Sequence, residues 1–365
     1  MRFGAAVLRS YEEPFAVEEV MLSSGPADGE ILVRIAGCGM CRTDLAVRRS
    51  AGRSPLPAVL GHEGAGVVVE TGGPDTGLSP GDHVVLSFDS CGHCRSCLGA
   101  APPTATGSPR STSSGAYRER GAVHRRGRGR ARPPVVRPVL FRRVRDGPGP
   151  QRRAGRRLAP PRTARTARLR VPDRRRGGVQ LLRRRPGDAV AVCGAGAVGL
   201  AAVMAATAAG AFTVAVDRHP ERLAQAEKFG AVPLDAASAD LPGRIQRLTD
   251  GGARYALDTT GSGGLINDAL RALRPTGHLG LVARLHTALP LEPGTLNRGR
   301  RISHICEGDA VPGLLIPRLT GLWQAGLFPF DQLIRTYPLA DIDEAERDCE
   351  AGRVVKPVLI PEHRT

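Results

Sequence analysis

The sequence predicts an α/β protein of two domains, one mostly β and one a doubly wound parallel sheet. Three observations carry that prediction. The chain of 365 residues is longer than one core usually fills, and 41% apolar residues suffice for two. Residues 1–97 fall into short apolar runs broken by Gly, Pro and Asp, the rhythm of strands and turns. From Asp188 to about Val282, apolar strand-like runs alternate with Ala- and Leu-rich helical stretches, the rhythm of βαβ units.

In chain order, Met1 opens a strand-like segment, and 31–35, 64–70 and 83–87 read as strands. Further on, 189–192 and 212–216 read as strands, and 198–209, 220–229 and 265–273 as helices. The tail reads as a helical stretch from 314, an amphipathic helix over 339–351 and a closing strand over 353–360. No internal repeat of fixed period appears. The expected boundaries are 1–97, 98–182, 183–312 and 313–365.

The formal charge of +17 would ordinarily point to nucleic acid or an anionic surface, but it is local. Residues 98–185 hold 26 of the 52 basic residues, all Arg, against Glu119, Asp146 and Asp173, so that block carries +23 and the rest −6. It contains no Lys, Ile, Met, Asn or Cys, and neither a period of 2 nor of 3.6 persists in it. We assign 98–182 no element and expect disorder there as written. A basic arm for nucleic acid is disfavoured, because only Tyr117 and Phe141 offer stacking surfaces and no groove-reading motif is present. No apolar run reaches the ~20 residues of a membrane helix, and no signal core follows Met1, so a soluble cytoplasmic protein without a membrane partner is expected.

Three motifs carry chemistry. Gly194-Ala-Gly196-Ala-Val198-Gly199 follows a strand, opens a helix, and is followed by Asp217 at the end of the next strand. Such glycines permit a tight turn and close approach of a pyrophosphate to the helix N-terminus. Asp217 would accept both ribose hydroxyls and repel a 2′-phosphate, favouring NAD over NADP, while Arg218 beside it softens that preference. Cys91-Gly-His-Cys94-Arg-Ser-Cys97 places three thiolates at the spacing of a metal knuckle, one ligand short of a closed zinc site. Cys41-Arg42-Thr43-Asp44 and Gly61-His62-Glu63 offer thiolate, imidazole and carboxylate, ligands that zinc accepts. On residues alone, His62 also suits a turn, and Cys38 with Cys41 also forms a CxxC redox pair.

Together and in this order the motifs resemble the zinc-dependent medium-chain alcohol dehydrogenases, most closely the aryl (benzyl) alcohol dehydrogenase branch. The match is carried by 39–44, Gly61 to Gly66, Gly81-Asp82-His83-Val84, Cys91 to Cys97, Arg185-Pro-Gly-Asp188, Gly194 to Gly199 and Glu350 to Pro357. The resemblance implies a GroES-like catalytic domain to which the C-terminal segment returns, a Rossmann coenzyme domain, and a cleft between them. It implies catalytic zinc on Cys41 and His62, with Glu63 as an occasional ligand, and a structural zinc on Cys91, Cys94 and Cys97. By the same likeness Asp44 orients His62, Thr43 passes the alcohol proton, and Arg42 and Lys356 contact the pyrophosphate of NAD. The implied reaction is reversible oxidation of a primary, aromatic or benzylic alcohol to the aldehyde, with no macromolecular partner beyond a homo-oligomer. Where many members carry a relay histidine, this chain has Ala46.

Two ligands of that pattern are missing, the fourth structural cysteine (expected at Ala105) and the third catalytic cysteine. Loss of one thiolate from each zinc site would weaken both, which puts activity in question and leaves a catalytically dead NAD-binding protein as the alternative. The arginine block has the composition of GC-rich DNA read out of frame. Shifted codons over 101–105 permit Arg-Pro-Ala-Tyr-Cys, and codons over 165–178, shifted the other way, permit Gly-Pro-Leu-Gly-Cys-Gly-Phe-Gln-Thr-Gly-Ala-Gly-Ala-Val. The permitted cysteines fall at positions 105 and 169.

Overall fold

A computed structural model describes residues 1–22, 24–28, 30–49, 56–73, 77–87, 96, 123–124, 187–285 and 288–362. The β-rich N-terminal region builds two sheets. In the first, β1 (Arg2–Leu8) pairs antiparallel with β2 (Ala16–Leu22), flanked by β4 (Ala58–Val59) on one side and β7 (Val123–His124) on the other. Strand β7 corrects one expectation, since it lies in the segment to which we assigned no element. The rest of 98–182 is outside the described residues. Ala5, Val7, Val20 and Leu22 bury the core of this sheet.

In the second sheet β3 (Ile31–Gly39) pairs antiparallel with β5 (Glu63–Thr71), which pairs with β6 (His83–Val85). Its other half comes from the far end of the chain. Strands β14 (Ile334–Pro338) and β15 (Lys356–Ile360) run parallel to each other, and β15 lies antiparallel to β3, with Val358 opposite Gly39 and Leu359 opposite Cys38. Helix α1 (Arg42–Arg49) follows β3 and buries Leu45 against Leu8, Phe15, Met40, Tyr337, Ile342 and Leu359. One core thus joins the first fifty residues to the last thirty.

Between these halves lies a six-stranded sheet. It comprises β8 (Ala189–Cys193), β9 (Phe212–Asp217), β10 (Val232–Asp235), β11 (Ala253–Asp258), β12 (Leu273–Leu281) and β13 (Arg301–His304). Their order is β10-β9-β8-β11-β12-β13 and every pairing is parallel, the doubly wound arrangement predicted from the alternating runs. Side chains alternate across the pleat, so Val190 and Val192 enter one core while Ala191 and Cys193 enter the other. Helices α2 (Ala197–Ala208) and α3 (Pro220–Lys228) cover the first face. Helices α4 (Leu241–Leu248) and α5 (Gly263–Ala272) cover the second, through Leu241, Ile245, Ile266 and Leu270. Burial on both faces is why these strands are apolar throughout rather than alternating.

The tail is shared between the cores. Leu319 and Leu322 of helix α6 (Pro312–Gln324), with Phe328 and Leu333 after it, pack against the first face of the parallel sheet. From β14 onward the chain belongs to the sheet of β3. Helix α7 (Ile342–Glu350) occupies most of the predicted 339–351, preceded by a single 3₁₀ turn. The predicted helix over 265–273 stops at Ala272, because Leu273 already pairs with Ala253 as the first residue of β12.

Candidate metal and coenzyme site

The register between β3 and β5 places Gly39 opposite Glu63, which brings the start of β5 beside the turn that follows β3. Cys41 stands in that turn, and α1 begins immediately after it. The Asp44 carboxylate is the organiser. Its Oδ2 accepts from the Cys41 amide at 3.1 Å, and its Oδ1 lies 3.0 Å from His62 Nδ1. Because a carboxylate only accepts, Nδ1 carries the proton and Nε2 is left for the metal side. The donor atoms of Cys41, His62 and Glu63 lie within 4.8 Å of one another, so thiolate, imidazole and carboxylate are grouped closely enough to hold one metal ion, and zinc accepts all three.

Electrostatics reinforce the grouping. The Asp44 hydrogen bond, then the contact with Cys41, raise the His62 pKa to about 10. Burial works against the Cys41 thiolate, but hydrogen bonds from His62 and from the Thr43 amide and hydroxyl outweigh it and hold the thiol below its usual range. The Thr43 amide reaches Cys41 Sγ at 3.5 Å and its hydroxyl lies 3.6 Å away. Cys38 is different in kind, since burial pushes its thiol up to about 11.

Glu63 is not free to join the metal side unaided, because it forms an ion pair with Lys356 at the start of β15. The Lys356 ammonium also donates to the Met40 carbonyl at 3.2 Å. Sequence reasoning set Lys356 against the pyrophosphate and did not foresee its pairing with Glu63. Gly39 makes the pair sterically possible, since a Cβ there would run into the Glu63 carboxylate. Arg42 is exposed on the first turn of α1, beside this cluster. Cys91, Cys94 and Cys97 lie outside the described residues.

The glycine turn after β8 is built as its sequence predicts. Gly194 adopts φ +93°, a conformation that side chains avoid, and Thr259 Oγ1 donates to the carbonyls of Cys193 (3.0 Å) and Gly194 (3.1 Å), clamping the turn to the end of β11. Gly199 lies so close to the Gly194 carbonyl that any Cβ would collide with it. Gly196, at the N-cap of α2, faces open space, and a Cβ there would meet nothing within 4 Å. A tight turn, a helix N-terminus without acidic residues in its first turn and an open approach fit a pyrophosphate. Val198 is exposed beside it.

Asp217 ends β9 next to this turn with its side chain nearly buried. Its Oδ2 accepts from the Ala195 amide at 2.7 Å, and its Oδ1 accepts from the His219 amide at 3.0 Å and lies 2.9 Å from His219 Nδ1. Burial opposes ionisation, yet these hydrogen bonds and nearby Arg222 hold the carboxyl below its usual range. Arg218 is exposed. His219 was missed in the sequence, where its one signal is a donor two residues after the acid.

Known proteins corroborate the assembly. Models of an alcohol dehydrogenase GroES-like domain and of a zinc-binding dehydrogenase match residues 27–128 and 197–319. The chain is 38% identical to geraniol dehydrogenase of Castellaniella defragrans, over 98% of this chain and 97% of that protein. It is 31% identical to an NDMA-dependent alcohol dehydrogenase of Amycolatopsis methanolica, over 99% of both. Among solved structures, an alcohol dehydrogenase zinc-binding domain protein from Burkholderia ambifaria superposes with a TM-score of 0.81 at 32% identity, covering 100% of both chains. Benzyl alcohol dehydrogenase from Acinetobacter calcoaceticus follows with 0.76 at 28% identity, covering 99% of both. With the sheet order, the glycine turn and the thiolate–imidazole cluster in agreement, the chain belongs to the zinc-dependent medium-chain alcohol dehydrogenase family.

Proposed function

We propose that the chain oxidises a primary alcohol, aromatic or benzylic in character, to its aldehyde and catalyses the reverse, with NAD as hydride acceptor. The observation that carries this is the convergence of Cys41, His62 and Glu63 beside the Thr43 hydroxyl. Cys41 and His62 would hold zinc, with the cysteine of the shifted frame at 169 as third ligand and Glu63 as a ligand only when Lys356 releases it. Bound there, zinc supplies Lewis-acid polarisation of the alcohol oxygen, and the nicotinamide accepts the hydride. Asp44 fixes the ring and tautomer of His62. Thr43 takes the alcohol proton and passes it toward the ribose and solvent, since Ala46 offers no relay. Arg42 and Lys356 bind pyrophosphate, Gly194 to Gly199 cradle it, and Asp217 with Arg218 meets the adenosine ribose. Cys91, Cys94 and Cys97 would hold a structural zinc with a fourth cysteine at 105.

The domains follow the same reading. Residues 1–97 and 313–365 form the catalytic unit, 183–312 the coenzyme unit, and 98–182 is a segment translated out of frame. The protein acts in the cytoplasm on small molecules, as a homo-oligomer. No helix among the described residues is long and apolar enough to cross a membrane. A second reading, an NAD-binding protein without zinc chemistry, is favoured by Ala105 and by the missing catalytic cysteine if the sequence is translated as written.

Metal analysis of the purified chain, with NADH formation from benzyl alcohol and geraniol, separates the two. Bound zinc and alcohol-dependent NADH support the dehydrogenase. NADH binding without zinc or turnover supports the second reading. Sequencing the DNA across codons 95–190 settles whether cysteines belong at 105 and 169.

A further inference from the structure

We infer that His219 is a specificity-determining residue of the coenzyme site, occupying on Asp217 an acceptor position that a ribose hydroxyl would otherwise take. The inference rests on the coenzyme reading above. A ribose diol is recognised when both hydroxyls donate to one carboxylate. Asp217 does not present two vacant oxygens. Its Oδ1 already accepts from the amide and from Nδ1 of His219, which fills both lone pairs. Its Oδ2 accepts from the Ala195 amide and keeps one lone pair. With the ring in place the carboxylate has room for one hydroxyl, and a second must displace His219.

The ring is well placed to act in this way. His219 is the N-cap residue of α3, and its carbonyl accepts from the amides of Arg222 and Leu223, so its backbone is fixed while its side chain remains one-third exposed. Asp217, by contrast, is 6% exposed and cannot move to find other partners. Around the pair stand Arg218 and Glu221 on the chain itself, Arg222 one turn into α3, and Asp235 at the equivalent position of β10. The consequence concerns selectivity. A donor resting on Asp217 both competes with the NAD ribose and reduces the repulsion that would exclude a 2′-phosphate, so His219 narrows the gap between the two coenzymes from both sides.

Fluorescence titration of the full chain with NADH and with NADPH tests this in three proteins: wild type, His219→Ala and His219→Asn. Removing the ring in His219→Ala frees one lone pair of Oδ1, while the backbone amide at 219 keeps the other. We expect NADH to bind about tenfold more tightly and NADPH more weakly, the size of one hydrogen bond to a charged group. In His219→Asn the amide nitrogen takes the place of Nδ1, and affinities should return to wild-type values. Thermal melting of each variant shows that the coenzyme sheet is intact. NADH affinity in His219→Ala within twofold of wild type, or weaker than it, overturns the proposal while leaving the coenzyme reading standing. Failure of the wild-type chain to bind either coenzyme overturns both.

Discussion

In the proposed reading the glycine turn and the Cys41–His62–Glu63 cluster serve one active site, yet they are made in opposite ways. The turn's residues, from Gly194 to Asp217, follow one another through one turn, one helix and one strand, and Asp217, whose carboxylate holds the Ala195 amide, is buried. The metal cluster draws on a turn after β3, the start of β5 and the start of β15, and its members are half-exposed. The turn is preorganised by local chain geometry. The cluster depends on long-range pairing and on charges that must be balanced, by Asp44 on one side and Lys356 on the other. It follows that the coenzyme half should tolerate damage to the catalytic half better than the reverse.

The largest effect that would expose this asymmetry is expected from Cys41→Ala or His62→Ala. Either should abolish zinc retention and lower alcohol oxidation by at least about a hundredfold, while NADH titration stays near wild type. Loss of NADH binding in those variants would erase the distinction between the halves. Next, Asp44→Asn should weaken zinc affinity about 10–100-fold, read by competition with a chelator, because a neutral amide with one acceptor oxygen replaces the carboxylate that serves both His62 and the Cys41 amide. Gly199→Ala should act on the other side alone. Its methyl meets the Gly194 carbonyl, and we expect a stability loss of about 1–3 kcal/mol in urea with weaker NADH binding and unchanged zinc content.

The remaining expected effect is a pH dependence. In the metal-free protein the His62 pKa stands at about 10 against 6.5 for an ordinary histidine. A raised folded-state pKa means that its stabilisation is complete below about pH 6.5 and is lost as pH rises through about 10. The metal-free melting temperature should therefore drop across that window, and Asp44→Asn should flatten the drop. A flat wild-type profile would show that Asp44 and His62 are not coupled in this way.

The same contrast explains what the sequence revealed. The glycine turn and Asp217 were legible because strand, turn, helix, strand and acid follow one another without interruption. Cys41 and His62 became legible as a pair only through resemblance, since nothing local announces that Gly39 will lie opposite Glu63. The ion pair of Glu63 with Lys356 was not legible at all, because a register between two distant strands creates it. His219 escaped because a histidine at a helix start reads as an ordinary polar cap. Strand β7 escaped because two residues between arginines carry no period, and its pairing with β2 is decided by the partner. At Leu273 an apolar run crosses from α5 into β12, and periodicity cannot mark where a buried helix becomes a buried strand.

The last strand sets a timetable for synthesis. Lys356 and Met40, which touch through an ammonium and a carbonyl, are 316 residues apart, so a ribosome making the chain exposes β3 long before it makes β15. The parallel sheet has its strands close in sequence and is able to close as soon as it emerges. The N-terminal sheet must wait with an open edge and an unfilled core at Leu8, Phe15 and Leu45 until Tyr337, Ile342 and Leu359 arrive. A nascent or truncated chain would therefore be a folded parallel-sheet module tethered to a sticky, incomplete sheet. That is the form in which chaperones would meet it.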